Sequence, residues 1–309
     1  MKQKTLNISF VAWIEHQASE LKEAGRLGTA RNYRRTCSSF LEFISQSGST
    51  PSWPDEVTIL KYNSWLQRRG VVRNTISFYM RVLRAVYNKA VDCGIIKQKF
   101  PFSHVYTGID KTRKRAVDED LIGKIISLDL LAKPSLALAR DMFIFSYCTR
   151  GMSFVDMAFL RKKNIKGNIL LYSRKKTGQN ISVRIEPNAR VIIDKYIRDS
   201  SEYIFPIIKT CDPEAAFRQY QTALGYFNRN LKMLSFMAGS CIMLSSYTAR
   251  HSWASNARKH NIPVSVISAG MGHDSEKTTR IYLSSLDSSM IDTANRKILS
   301  SLEKYAHKC

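Results

Sequence analysis

Residues 245–286 concentrate groups able to handle an oxyanion and a proton: Arg250 with His251, His273 behind a Gly-x-Gly turn, and Tyr282 nine positions later (282 − 273). Two further cations stand in distinctive local settings, Arg150 in Thr149-Arg150-Gly151-Met152-Ser153 and Lys176 in Lys175-Lys176-Thr177-Gly178. An arginine offers a planar, permanently charged fork that matches phosphate oxygens. Imidazole and ammonium groups can pass protons. A phenol, with a pKa of about 10, is a better nucleophile and leaving group than a serine hydroxyl, so a bond made to it can be resealed. Such groups suit reversible transesterification at a phosphodiester.

These residues need elements to hold them. Trp253, Ala254 and Ala257, then Ile262, Val264, Val266 and Ile267, recur at helical spacing and predict two short helices joined near Asn261-Ile262-Pro263. Gly270 and Gly272 end the second, leaving His273 in a loop or at the next helix start, which Asp274 or Ser275 would cap. Upstream, an apolar helix over 135–148 delivers the chain to Arg150, and Asp156 follows among Val155, Met157, Phe159 and Leu160. Alternation over 168–172 and 181–185 predicts a hairpin whose turn carries Lys175 and Lys176. Helical patterns also cover 117–131, a stretch from Pro187, and 212–233, and the tail 288–305 has one apolar stripe of Ile291, Ala294, Ile298, Leu302 and Tyr305.

The first hundred residues read differently, as four amphipathic helices over about 6–25, 28–47, 57–69 and 73–94, separated by glycines and by Pro51 and Pro54. Arg31, Arg34 and Arg35 share one flank of the second helix, and Arg73 and Arg81 lie on the fourth; each is a candidate phosphate contact or a solvated charge. From 98 to 116 the pattern weakens into a basic linker with Lys111, Arg113, Lys114 and Arg115, which could follow a DNA backbone.

Composition bounds the partner. The chain has 309 residues, enough for two domains, and 48 Lys and Arg against 25 Asp and Glu give a net charge of +23. Double-stranded DNA is the natural partner, because neutralising phosphates releases counterions. No apolar run reaches membrane-spanning length, and the N-terminus lacks the apolar core of a signal peptide, so the expected location is cytoplasmic, with no membrane partner. Six cysteines, at 37, 93, 148, 211, 241 and 309, are too dispersed for a disulfide framework or zinc site and read as reduced thiols, with Cys148 an apolar filler.

The trio Arg250-His251, Gly272-His273 and Tyr282 resembles the tyrosine recombinase, or phage integrase, family, whose members carry an arginine in a His-x-x-Arg-His context, then Gly-His, then a nucleophilic tyrosine about nine residues later. The resemblance implies a mainly α fold with a small β-hairpin or sheet: an N-terminal four-helix core-binding domain over 1–97, the linker 98–116, and an α+β catalytic domain over 117–309. It implies that Tyr282 forms a 3′-phosphotyrosine, that Arg150 and Arg250 stabilise the phosphate, and that Lys176 protonates the leaving oxygen, with Lys175 the reserve candidate for that role and otherwise a DNA contact. His273 would bind the phosphate or orient Tyr282, and His251 reads as structural.

The chain departs from the family twice. Tyr247 stands where the histidine is expected; it can donate a hydrogen bond but is a poor base near neutral pH. The first arginine belongs three residues before an acid, which from Asp156 is Ser153, so either Arg150 reaches in from a displaced root or a local insertion follows it. An Arg150–Asp156 ion pair is the alternative. No cofactor or metal is implied, since guanidinium and ammonium groups replace the cations of other phosphoryl-transfer enzymes. The resemblance also implies a homo-oligomer, a tetramer, assembled on DNA through the C-terminal helix, with accessory DNA-bending proteins as further partners. The sequence phrases look like those of mobile-element integrases and DNA invertases. A type IB topoisomerase-like relaxing enzyme and a DNA-binding protein with a decayed site stay open.

Overall fold

The computed structural model describes residues 8–48, 52–110 and 116–273, with Ser275, Glu276, Thr279, Arg280 and Asn295. Lys111, Arg113, Lys114, Arg115, Asp274, Tyr282 and the tail stripe lie outside the described residues. The chain divides into two compact units, Met1–Thr112 and Arg113–Cys309.

In the first unit α1 (Phe10–Glu23) starts where the Ser9 hydroxyl accepts from the Ala12 N–H at 3.3 Å, and α2 (Leu27–Ser47) stops at Gly48 in the left-handed conformation. Asp55 caps α3 (Glu56–Arg68), and α4 (Arg73–Asp92) completes the set. Their apolar stripes meet around Phe10, Ile14, Phe40, Tyr62, Met80, Leu83 and Tyr87. The boundary differs from the sequence expectation. Residues 98–110 are packed onto α4: Phe102 is buried against Tyr87, the Ser77 hydroxyl donates to the Gly108 carbonyl at 2.5 Å, and the Asp110 N–H donates to Asn74 at 2.8 Å. Its glycine and proline content reads as a connection, but an aromatic anchor and tertiary hydrogen bonds make it part of the unit.

The second unit is built on α6 (Pro134–Cys148), which is apolar on nearly every side and packs against α5 (Glu119–Ile126), α8 (Pro187–Tyr196), α9 (Pro213–Met237) and α10 (Thr248–Lys259). Between α7 (Phe154–Ala158) and α8 lies an antiparallel sheet of order β1-β2-β3: β1 (Ile165–Lys166), β2 (Ile169–Ser173) and β3 (Asn180–Arg184). Leu170 pairs with Val183 and Tyr172 with Ile181, so Leu170 and Val183 face the core. The expected hairpin thus gains a third strand, too short to leave a periodic signal. The expected helix to residue 131 ends instead at Ile126. The chain then passes through α11 (Val264–Met271). No described helix is long and apolar enough to cross a membrane. Cys148 is half-buried, and burial pushes its thiol up.

Asp141 is the buried charge that ties α6 to α8. Its carboxylate accepts from Lys195 Nζ at 2.6 Å, the Tyr196 hydroxyl at 2.8 Å and Arg140 Nε at 2.9 Å. Burial pushes this carboxyl up, but the hydrogen bonds from Lys195, Tyr196 and Arg140 prevail and hold it below the usual range. A depressed carboxyl contributes stability that is present above its unfolded pKa and lost as pH falls through the folded one, here below about pH 4. Asp141→Asn should therefore lower stability by roughly 2–3 kcal/mol at neutral pH in chemical denaturation and flatten the acid limb of the profile. An unchanged acid limb would remove Asp141 from this role.

Candidate active site

Helix α6 ends in a tight left-handed turn. The Gly151 N–H returns to the Ser146 carbonyl at 2.7 Å and the Arg150 N–H to the Tyr147 carbonyl at 3.2 Å, with φ of +61° at Arg150 and +78° at Gly151. A left-handed arginine is strained, and such strain persists where surrounding structure enforces it. At Gly151 there is no room for a side chain: a Cβ would lie 2.7 Å from the Arg250 Cα. This close approach seats Arg250, in the first turn of α10, directly against the turn that carries Arg150.

Arg250 is only 5% exposed, and its guanidinium is held from several sides. Nη1 donates to the Gly151 carbonyl at 2.8 Å, and Nη2 to the Met271 carbonyl at 2.7 Å and to His273 Nε2 at 2.9 Å. A guanidinium only donates, so His273 must accept at Nε2 and carry its proton on Nδ1. That Nδ1–H then donates to the buried Thr279 hydroxyl at 2.8 Å. Gly272, left-handed at +62°, ends α11 and presents His273 toward Arg250.

The hairpin closes on the same region. Asp156 does not pair with Arg150. One carboxylate oxygen accepts the Ser153 hydroxyl at 2.6 Å, and the other accepts the Lys175 N–H at 2.8 Å. Ser153 is therefore the N-cap of α7, which explains a serine there, while Asp156 anchors the lysine turn. Lys175 extends its ammonium over the Phe159 ring, 4.5 Å from the centroid. Lys176 is exposed. On the other flank, Arg174 Nη1 donates to the Gly272 carbonyl at 2.8 Å, and a Cβ on Gly272 would meet the Ile181 Cδ1 at 2.5 Å.

Arg150, Arg250 and His273 thus share one neighbourhood, reached from the α6–α7 turn, α10 and the end of α11. The Arg150 stem passes Gly270, where a Cβ would lie 3.6 Å from its Cδ, and its Nη1 lies 3.5 Å from the Ser182 carbonyl of β3. Tyr172 reports the clustering of charge: burial, then Asp156, pushes its phenol up against the opposing pull of Arg250, Arg174 and Arg150. Tyr247 sits at the start of α10, 41% exposed, with its ring 5.9 Å from that of His251. Sequence reasoning missed Arg174, Gly151 and Thr279. The doublet Arg150-Gly151 was a usable signal for a left-handed turn, but nothing local connects Arg174 to Gly272. Among the described residues no group of three His, Cys, Asp or Glu could hold a metal ion.

The candidate DNA contacts on the first unit are a separate set. Arg31, Arg34 and Arg35 are exposed on α2, with Arg34 Nε 3.7 Å from Glu15. Arg73 lies 3.4 Å from Asp110 and stacks over Tyr106 at 3.9 Å, while half-buried Arg81 donates to the Ser77 carbonyl at 3.4 Å.

Comparison with known proteins covers both units. Residues 9–105 match the family model described as the phage integrase SAM-like domain, and residues 130–289 that of the phage integrase family. The tyrosine recombinase XerD of Oceanobacillus iheyensis is 21% identical over 266 residues, covering 82% of this chain and 86% of the relative. A lambda integrase dimer bound to a COC′ core site has a similar fold, with TM-score 0.64, 17% identity, and coverage of 88% of this chain and 94% of that one. A lambda integrase tetramer bound to a Holliday junction gives TM-score 0.63 at 16% identity, covering 88% and 76%.

Proposed function

The chain belongs to the phage integrase family, which makes it a tyrosine-type site-specific DNA recombinase, and we propose that it cuts and rejoins DNA through a 3′-phosphotyrosine on Tyr282. In this reading Arg150 and Arg250 grip the non-bridging oxygens of the scissile phosphate, and their hold tightens as charge gathers on the pentacoordinate transition state. Tyr282 attacks phosphorus, the 5′ oxygen departs, and Lys176 gives it a proton. His273, accepting at Nε2, is suited to take a proton from the attacking phenol or to bond the phosphate. Tyr247 donates a hydrogen bond to a phosphate oxygen in place of a histidine. Reversal of the same steps on a different strand completes an exchange, and its net outcome is integration, excision or inversion.

The observation that carries the reading is the buried Arg250 fork. Burying a guanidinium is costly unless it is fully engaged, and here two carbonyls and an imidazole orient it beside the turn that bears Arg150. An arriving phosphate would exchange the neutral His273 acceptor for an anionic one. The Lys175 side chain is not needed for this; its ammonium rests on Phe159, which favours Lys176 as the proton donor. Exposed Arg31, Arg34, Arg35 and Arg73 and half-buried Arg81 of the first unit, with the basic run from Lys111 to Arg115, would hold the duplex through its phosphates. Since the similar lambda integrase is described as a dimer on a core site and a tetramer on a Holliday junction, this chain is read as assembling on DNA, with its tail stripe docking on a neighbouring subunit. Accessory bending proteins and a cytoplasmic location accompany that reading.

The test is a nicked duplex carrying the chain's own recombination junction, which sheds a short fragment after cleavage and so traps the covalent complex. The expected result is a protein–DNA adduct, with strands joined between two duplexes when the nick is absent. Relaxation of supercoils without any interduplex joining would favour the topoisomerase-like alternative, and binding with neither product would favour a decayed site.

A further inference from the structure

We propose that Arg174 is a positioning residue that locks the lysine-bearing turn to the His273 turn and thereby sets where Lys176 stands relative to the scissile phosphate. The inference rests on the assignment of Lys176 as proton donor, but it concerns a residue of its own. Arg174 is the first residue past β2, and it closes the turn with its backbone. Its N–H donates to the Gln179 carbonyl at 2.9 Å, and its carbonyl accepts the Gly178 N–H at 2.8 Å. Its side chain then spans to the Gly272 carbonyl at 2.8 Å, across 98 positions of sequence.

That carbonyl is the one immediately before His273, in the glycine that ends α11. The opposite strand is pressed on the same glycine, where Ile181 Cδ1 would stand 2.5 Å from a Cβ. With the Asp156 carboxylate holding the Lys175 N–H, the turn has one tether on α7 and one on the α11 terminus. Lys176 is the next residue, and no hydrogen bond or ion pair holds its side chain among the described residues. A flexible lysine on an untethered hairpin would sample many placements. Two tethers, each a charge-assisted bond, restrict them.

Arginine suits this position for its reach and direction. A guanidinium keeps a planar geometry at its carbonyl acceptor while its stem lies along the hairpin. Position matters steeply, because displacement of a catalytic group by about 1 Å can cost on the order of 100-fold in rate. Arg174→Ala should slow single-turnover cleavage by roughly 30- to 100-fold while DNA affinity stays within about threefold.

A substrate with a 5′-bridging sulfur at the scissile phosphate separates positioning from phosphate contact, since a thiolate departs without being protonated. Cleavage of that substrate by Arg174→Ala should return to within about fivefold of the parent, and in a Lys176→Ala background the Arg174 change should add almost nothing. Arg174→Lys, which retains a donor, should recover part of the rate on ordinary DNA and serves as the readout should the alanine variant not fold. Equal slowing on both substrates, or additive losses in the double variant, would overturn the proposal. Lys176→Ala alone tests the underlying assignment: if sulfur fails to rescue it while the Tyr282 adduct still forms, the proton donor lies elsewhere and the Arg174 proposal falls with it. If Lys176→Ala is rescued and Arg174→Ala is not, only Arg174 is excluded.

Discussion

Tyr282→Phe will bind DNA within about threefold of the parent yet form no covalent adduct, a loss exceeding ~1000-fold in cleavage. The substitution removes one oxygen and keeps the ring, so the side chain's shape is nearly unchanged while the only atom able to displace the 5′ oxygen in this reading is gone. This particular tyrosine is marked by its distance in sequence from His273, and three positions before it the Thr279 hydroxyl receives the His273 Nδ1–H. Denaturing electrophoresis of a labelled suicide substrate reads the adduct, and a mobility-shift titration reads binding. An adduct that persists in the phenylalanine variant would transfer the nucleophile to another residue. Loss of binding together with the adduct would instead point to a structural tyrosine.

Arg250→Lys should reduce cleavage by about 100-fold or more even though the charge is kept. A lysine ammonium is a point charge with three donors on a flexible stem, and it cannot satisfy the Gly151 carbonyl, the Met271 carbonyl and His273 in the geometry the planar fork uses. Leaving one buried carbonyl unsatisfied costs about 1–3 kcal/mol, so a lower melting temperature should accompany the lost rate. Cleavage measured well below that melting temperature separates the two effects. If the lysine variant cleaves at the parental rate under those conditions, Arg250 is a structural residue and the phosphate is held by something else. The Gly151 contact sharpens the expectation, because the Arg250 backbone and the root of its side chain are pressed against that turn and have little freedom to shift in compensation.

The helices of both units were readable because their signals are local. Apolar residues every three or four positions, Pro51 and Pro54 between two helices and Gly48 after one are cues that act within a turn or two. The hairpin was readable for the same reason, through alternation around a glycine-bearing turn. Strand β1 was not, since two residues carry no period, nor was the attachment of residues 98–110 to α4, which depends on where Phe102 and Asp110 find partners.

At the candidate site, the residue types and the family resemblance that their spacing carries pointed to a phosphodiester, an arginine fork and a tyrosine. They left open whether Arg150 pairs with Asp156, which lysine of the turn is occupied, and why a serine stands at 153. Those answers came from tertiary structure: Asp156 is taken by Ser153 and the Lys175 N–H, Lys175 rests on Phe159, and Arg174 crosses to Gly272. The division has a physical cause. Periodicity and capping are written into neighbouring residues, whereas the acceptor that a long cationic side chain meets is set by which distant backbone the packed core brings within its reach.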